Sequence, residues 1–181
     1  MPLFAQDGRS EISANFTGNF QDKTTGLGRT DTASYSGGLL TNYRYHFNDW
    51  SAIEVNYAYT NFSQYYSPSY TTRARANEWS LAYVNTFGMS ANVRIRPFVQ
   101  AGTGGLFFSP IATGSLATGL TQSRAVFLYG GGADWRLSSN ISVRLGYRAL
   151  IYTAPDFVVG VLITNARTQM AEPYAGIVLR F

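Results

Sequence analysis

Apolar and polar residues alternate along most of this chain. In the segment 12–20, Ile12, Phe16 and Phe20 share one face, and serine, asparagine and threonine occupy the other. A period of two residues indicates a β-strand with one apolar face, and about ten such residues let a tilted strand cross a bilayer. Seven more segments follow the pattern, the fifth being blurred by glycines: 35–47, 53–60, 78–87, 97–108, 127–137, 141–148 and 172–181. The pattern therefore predicts about eight membrane-spanning strands.

The connections between these segments alternate in length. Short ones cover 48–50, 88–92 and 138–140, and long ones cover 21–34, 61–75, 109–123 and 153–169. Short periplasmic turns and longer external loops are typical of outer-membrane barrels, and an even strand number leaves both termini periplasmic. This topology predicts two aromatic girdles, one at each membrane interface. Towards the periplasmic rim lie Tyr45, Phe47, Phe87, Trp135 and Phe181, and towards the outer rim lie Phe20, Tyr57, Tyr59 and Phe107.

Composition supports an all-β membrane protein. Charged residues make up 13% of the 181 residues, where about 25% is usual for a soluble domain. The apolar run 157–163 is too short for a membrane helix, which needs about 20 residues. Lipid accepts only helices and closed barrels, so an antiparallel up-and-down β-barrel remains. We assign the barrel to residues 11–181 and interpret residues 1–10 as the end of a signal peptide and a flexible start.

Inward-facing charges are expected to pair inside the barrel, because buried charges are kept only when they are paired. The short turn around 138–140 places Asp134 opposite Arg144, and the turn around 48–50 places Glu54 opposite Arg44 or His46. We interpret both as structural ion pairs of a packed polar interior rather than as a gate or a catalytic site.

The chemistry of the side chains argues against several functions. The single histidine, His46, is predicted near the periplasmic end beside Glu54, far from an external lipid substrate, so we expect no enzymatic activity. One histidine without clustered carboxylates is no metal ligand set, and there is no cysteine, so we expect no metal or other cofactor. The formal charge of +4 is not concentrated in one segment, which argues against a nucleic-acid partner.

The last residues, from Tyr174 to Phe181, look like the terminal assembly signal of outer-membrane proteins. The motif is carried by Tyr174, Gly176, Leu179 and Phe181. Together with 96–98, 132–136 and 143–148, it resembles the small eight-stranded outer-membrane barrel family of the OmpX and OmpA transmembrane-domain type. The resemblance implies a Gram-negative outer membrane and insertion by the outer-membrane assembly machinery.

The predicted external loops carry the candidate interaction surface. The last loop holds an apolar run formed by Phe157, Val158, Val159, Val161, Leu162 and Ile163. Exposed apolar patches often mark binding surfaces, but the run can equally extend the terminal hairpin. We expect a non-enzymatic structural or interaction protein whose loops meet lipids, lipopolysaccharide, or an envelope or surface protein. The alternative is a lipid-modifying enzyme or a small-solute channel on the same barrel.

Overall fold

The computed structural model describes residues 8–22, 24–26, 29–33, 35–66, 70–87, 94–111, 121–154 and 167–181. Ten strands occur in this part of the chain. They are β1 (Ser10–Gln21), β2 (Thr24–Gly26), β3 (Arg29–Ala33), β4 (Ser36–His46), β5 (Ser51–Tyr66), β6 (Tyr70–Thr86), β7 (Ile95–Ile111), β8 (Gln122–Arg136), β9 (Ile141–Thr153) and β10 (Arg167–Arg180). None of the described residues belongs to a helix long and apolar enough to cross a membrane.

Eight of these strands form a closed antiparallel barrel. The hydrogen-bonded order is β5-β4-β1-β10-β9-β8-β7-β6, and β6 pairs back onto β5. The prediction of an eight-stranded all-β barrel is therefore confirmed. We call the end with the connections 47–50 and 137–140 the turn end, and the opposite end the loop end.

The first and last strands close the barrel at the turn end. β1 and β10 pair from Glu11 opposite Arg180 to Gln21 opposite Met170. Backbone hydrogen bonds run in both directions between Ser10 and Phe181, at 3.1 and 2.9 Å. The two ends of the barrel sequence thus lie side by side.

The strands extend further at the loop end than the alternation predicts. Residues 61–75, predicted as a long loop, are mostly strand, since β5 continues to Tyr66 and β6 begins at Tyr70. The first predicted loop holds the short hairpin β2–β3, which adds to the edge of β5 through Asp31 opposite Tyr66. Backbone pairing needs no apolar face, so these extensions leave no period-two pattern of hydrophobicity.

The outer face of the barrel is apolar and carries exposed aromatic residues near both ends. Phe16 is 76% exposed, whereas Asn15 and Thr17, its chain neighbours, are buried inside. Exposed aromatic side chains towards the turn end include Tyr45, Phe47, Trp50, Phe87, Trp135 and Phe181, and those towards the loop end include Phe20, Tyr35, Trp79, Phe107 and Phe127. This arrangement is typical of a surface that meets lipid between two aromatic girdles.

The sequence predicts a packed polar interior, but the interior is polar over only part of its length. Towards the loop end, an apolar cluster fills it, including Leu106, Phe108, Leu128, Leu150 and Met170. These strands are apolar on both faces, and alternation cannot assign such a segment. Most of the buried charged side chains lie below this cluster, towards the turn end.

Candidate functional site: the charged interior

Two clusters of charged side chains lie inside the barrel. The turn-end cluster consists of Glu11, Arg44, His46, Glu54, Asp134, Arg144 and Arg180, and the middle cluster consists of Glu78, Arg148 and Glu172. Successive side chains of a strand point to opposite faces, and each of these residues occupies an inward position. Most of them are at most 3% exposed.

Arg144 joins three carboxylates of the turn-end cluster. Its Nε lies 2.6 Å from Oδ1 of Asp134 and its Nη2 lies 2.8 Å from Oδ2, so this pair is bidentate. The same guanidinium donates to Glu54 at 3.3 Å and to Glu11 at 3.1 Å. The structure thus brings Asp134 and Arg144 together in direct register, within a larger network than one pair.

Arg44 and Glu54 are also directly opposite, on β4 and β5. The Arg44 Nη2 and Nε atoms lie 2.7 and 2.8 Å from the Glu54 Oε2 atom. The guanidinium carbons of Arg44 and Arg144 lie 4.5 and 5.1 Å from the ring centroid of Phe98. A cation above an aromatic ring is favoured electrostatically, so Phe98 supports both guanidiniums from β7.

Glu11 connects four strands of the barrel. It accepts hydrogen bonds from Arg180 of β10, with Nε at 2.8 Å, and from Arg144 of β9. Its other close partner is His46 of β4, whose Nε2 lies 3.1 Å away. Of the two residues predicted opposite Glu54, the register places Arg44 there and not His46. In the β4–β5 register His46 faces Ala52, and β1, on the other side of β4, supplies its carboxylate.

The middle cluster escaped the sequence analysis. Arg148 donates to both carboxylate oxygens of Glu78, at 3.0 and 2.8 Å, and its Nε lies 2.5 Å from Glu172. Glu172 faces Arg148 in the β9–β10 register, but Glu78 reaches it from β6, which does not pair with β9. Alternation identifies Glu78 and Arg148 as inward residues; it gives no signal for a contact across the interior.

Hydrogen bonds link the two clusters. Asn42 donates to Glu54 at 3.3 Å and also to Asn56, and Asn56 donates to Ser80 at 3.2 Å. Ser80 in turn donates to Glu78 at 2.7 Å. All of these side chains are buried. The polar interior is therefore one connected network from the turn end to the middle of the barrel, and such networks rigidify a fold when their members are satisfied.

An opening enters the barrel at the turn end. There a cavity of about 590 Å³ is lined by Arg9, His46, Asp49, Arg96 and Arg180, among others. Arg44, Glu54 and Arg144 are each 1% exposed, beyond the depth of this cavity. Within the described ranges, no three histidine or acidic side chains are grouped so as to hold a metal ion.

The residues of the predicted assembly signal lie on both faces of β10. Tyr174 is buried inside, where its ring covers Gly146, and a side chain at Gly146 would overlap that ring. Gly176 faces inward against the backbone of β1, while Leu179 and Phe181 are exposed on the outer face. The predicted partner-binding loop, residues 157–163, lies outside the described residues.

Comparisons with known proteins agree with this architecture. Residues 3–166 match the family described as outer membrane protein beta-barrel domain. No curated protein sequence matches the chain.

Three solved structures illustrate the likeness in fold. Neisserial surface protein A shares 17% identity with a TM-score of 0.66, over 97% of this chain and 98% of that one. OprG from Pseudomonas aeruginosa shares 15% identity with a TM-score of 0.69, over 95% of each chain. The outer membrane enzyme PagL shares 13% identity with a TM-score of 0.52, over 94% of this chain and 99% of that one. At these identities the likeness concerns the fold alone.

Proposed function

We propose that this chain, which belongs to the outer membrane protein beta-barrel family, is a non-enzymatic barrel whose loop end meets other molecules. The family places the chain in the bacterial outer membrane, as the sequence predicted. The proposal adds that the termini and the turn end face the periplasm, and that the loop end faces outward. One observation carries it: the interior is closed by buried, mutually paired charges.

The closed interior argues against a solute channel. Arg44 and Arg144 are fully buried, and together they contact three carboxylates and the ring of Phe98. To open a path, at least one guanidinium would have to leave its carboxylates, and breaking a buried pair typically costs about 3–5 kcal/mol. The apolar cluster towards the loop end adds a second barrier to ions. A barrel of eight strands has room for side chains rather than for a pore.

The loop end supports a role in contacts with other molecules. β5 and β6 contain 16 and 17 residues, although a strand of about 9–11 residues crosses the bilayer. Their paired hairpin, widened by β2–β3, therefore continues beyond the length that the membrane requires. A paired β-structure holds its surface in a fixed shape, so contacts with a partner cost less conformational entropy than those of a flexible loop.

An enzyme on the same fold is the rival proposal. PagL shows that the fold is compatible with catalysis, and function must be argued from the site rather than from the fold. In this chain the single histidine lies at the turn end, 3.1 Å from Glu11 and among arginines. In the proposed orientation the turn end faces the periplasm, away from the lipids of the external leaflet. The position of His46 therefore supports a structural role.

Activity measurements on the refolded barrel test the proposal. In planar bilayers we expect no sustained single-channel current, and with lipopolysaccharide or phospholipid we expect no released fatty acid. An epitope inserted within 157–163 should be accessible on intact cells, whereas the same epitope at 138–140 should not. Steady conductance, hydrolysis or the reverse labelling would contradict the proposal. Phe157 and Leu162 are the first positions to replace with serine in a search for partners.

A further inference from the structure

The cavity at the turn end, which we call the turn-end cavity, has a predominantly cationic wall. Its volume of about 590 Å³ is in the range of sites for small molecules. The charged side chains of the wall are one carboxylate and three guanidiniums: Asp49, Arg9, Arg96 and Arg180. A concave surface in which one sign of charge predominates concentrates ions of the opposite sign, because its low-dielectric walls focus the electric field.

The carboxylates beneath the cavity are already engaged. Glu11 accepts hydrogen bonds from Arg180 and Arg144, at 2.8 and 3.1 Å. The other two carboxylates of the turn-end cluster are paired with its buried arginines. Among the described residues, no carboxylate lies within ion-pair distance of Arg9 or Arg96. The cavity therefore has two guanidiniums whose charge no direct contact with a carboxylate compensates.

Arg96 has a buried donor without a partner. It is the second residue of β7, and it faces inward like Phe98, which is buried two residues further along. Its Nε atom is buried and has no hydrogen-bond partner in the described part of the chain. Arg180 and Arg136 act on this guanidinium as like charges, and Asp49 acts on it as an opposite charge. A buried charged donor is costly unless it is bonded, so Arg96 is suited to an anionic ligand.

The segments that adjoin the cavity along the chain carry little charge. Residues 1–7 contain one carboxylate, that of Asp7, and residues 88–93 contain no charged side chain. Both segments lie outside the described residues. Four arginines lie at the turn end outside the balanced turn-end cluster: Arg9, Arg94, Arg96 and Arg136. They outnumber the carboxylates of Asp49 and Asp7, so this end of the barrel is cationic with both segments counted.

From these observations we propose that the turn-end cavity binds a soluble anion with several phosphate groups, such as a short polyphosphate. A guanidinium binds a phosphate through two parallel, charge-assisted hydrogen bonds. Arg96 of β7 and Arg180 of β10 lie on strands that do not pair with each other, so the ligand is held from separate parts of the wall. The cavity is also larger than one phosphate group requires.

The lining favours a soluble ligand over a lipid headgroup, which is the other source of phosphate. Of the described residues that line the cavity, only Phe47 has an apolar side chain, so the cavity has no apolar wall for an acyl chain. The inference rests on the proposed function in one respect only. In the proposed orientation the turn end faces the periplasm, and the ligand would be met there.

Calorimetric titration of the refolded barrel, in an uncharged detergent, with sodium tripolyphosphate tests the site. We expect saturable binding that weakens as the salt concentration rises, because salt screens charges. Arg96→Gln and Arg9→Gln should each weaken binding about tenfold, the loss of one charge-assisted contact. Asp49→Asn should strengthen binding severalfold, since it removes the carboxylate that repels the ligand. The matched control is Arg75→Gln, which removes an exposed guanidinium at the loop end and should bind as the unmodified chain does.

Equal effects of Arg96→Gln and Arg75→Gln would indicate attraction to net charge alone and would overturn the site. A larger gain in affinity from Asp7→Asn than from Asp49→Asn would show that the first residues of the chain occupy the cavity, which would overturn the proposed ligand. Slower gel migration after boiling verifies that each variant is folded. Failure of the proposed orientation appears separately, in the labelling of intact cells.

Two further titrations identify the ligand. Orthophosphate should bind more weakly than tripolyphosphate, and equal affinity would overturn the assignment to several phosphate groups. Phosphatidylglycerol in the micelles should leave tripolyphosphate binding unchanged. Displacement of tripolyphosphate at an equal concentration of phosphate groups would assign the cavity to a lipid headgroup and overturn the assignment to a soluble anion.

Discussion

Arg148 is a single guanidinium between two buried carboxylates, those of Glu78 and Glu172. With both carboxyl groups ionised, the three groups carry one negative charge in excess, whereas the cluster at the turn end matches three carboxylates with three guanidiniums and a histidine. Buried charge is costly unless it is compensated. The contribution of each charged side chain to the free energy of unfolding thus depends on the net charge of its cluster as well as on its own contacts.

This difference predicts unequal effects of two substitutions in the middle cluster. Arg148→Met leaves two carboxylates without a cation and should lower the free energy of unfolding by about 3–5 kcal/mol. Glu172→Gln removes the excess charge and leaves Arg148 paired with Glu78, so it should cost about 1 kcal/mol or less. Denaturant titration of the refolded barrel, followed by gel migration, measures both. Equal losses would show that excess charge in this cluster does not matter.

Residue pairs were predictable from sequence only where a short turn sets the register. Asp134 and Arg144 lie at equal distances on either side of Ser139, so their apposition follows from counting. Glu78 and Arg148 lie 70 positions apart on strands that do not pair. Their contact depends on the diameter of the closed barrel, which no local pattern reveals. The partner of His46 was missed for a related reason, because β1 supplies it.

Among the strands, β1 and β10 are closely packed where they pair to close the barrel, and we call this pairing the seam. A side chain at Gly176 would overlap the backbone of Ala14 and Asn15 on β1. At Gly37, on β4 at the opposite flank of β1, the nearest atom to an added Cβ is the Thr17 carbonyl oxygen at 3.9 Å, an ordinary contact. The inward position at Gly176 is thus crowded by β1, whereas the outward position at Gly37 has room beside the same strand.

These two glycines form a matched pair for substitution. Gly176→Ala should lower the free energy of unfolding by about 1–3 kcal/mol, because the backbone of β1 would have to move. Gly37→Ala should be neutral or stabilise slightly, since alanine reduces the conformational entropy of the unfolded chain. Thermal unfolding in detergent compares them. A loss of stability at Gly37 as large as that at Gly176 would exclude close packing at the seam as the cause.

The number of strands was predictable because each outer face is apolar over the thickness of the membrane. The ends of the strands were not, because beyond the membrane the pairing of β5 with β6 continues through polar residues. The hairpin β2–β3 was missed for the same reason. Hydrophobic patterning reports where a strand meets lipid, whereas its length is set by backbone hydrogen bonds.

Across the whole molecule, the interior has two kinds of filling. Charged and amide side chains form the network towards the turn end, and the cluster around Leu128 and Leu150 fills the part towards the loop end. The sequence predicted the first from inward charges. It could not predict the second, because Val126, Phe127 and Leu128 are apolar in succession and do not distinguish an interior face from a lipid face.

Because Ser10 and Phe181 are adjacent, they could be joined by a linker and the chain could be opened at a different turn. A circular permutant joins these residues through a short linker and opens between Ser138 and Ser139, both exposed in a turn. It keeps every strand pairing of the barrel, so it should refold in detergent and melt within a few degrees of the original.

In cells the permutant should assemble poorly, since the segment from Tyr174 to Phe181 no longer ends the chain. Normal assembly would show that this segment need not be terminal, and failure to refold in detergent would show that the position of the break matters to the fold itself. Refolding in detergent together with poor assembly in cells would show that the break between Ser10 and Phe181 serves insertion into the membrane rather than the stability of the finished barrel.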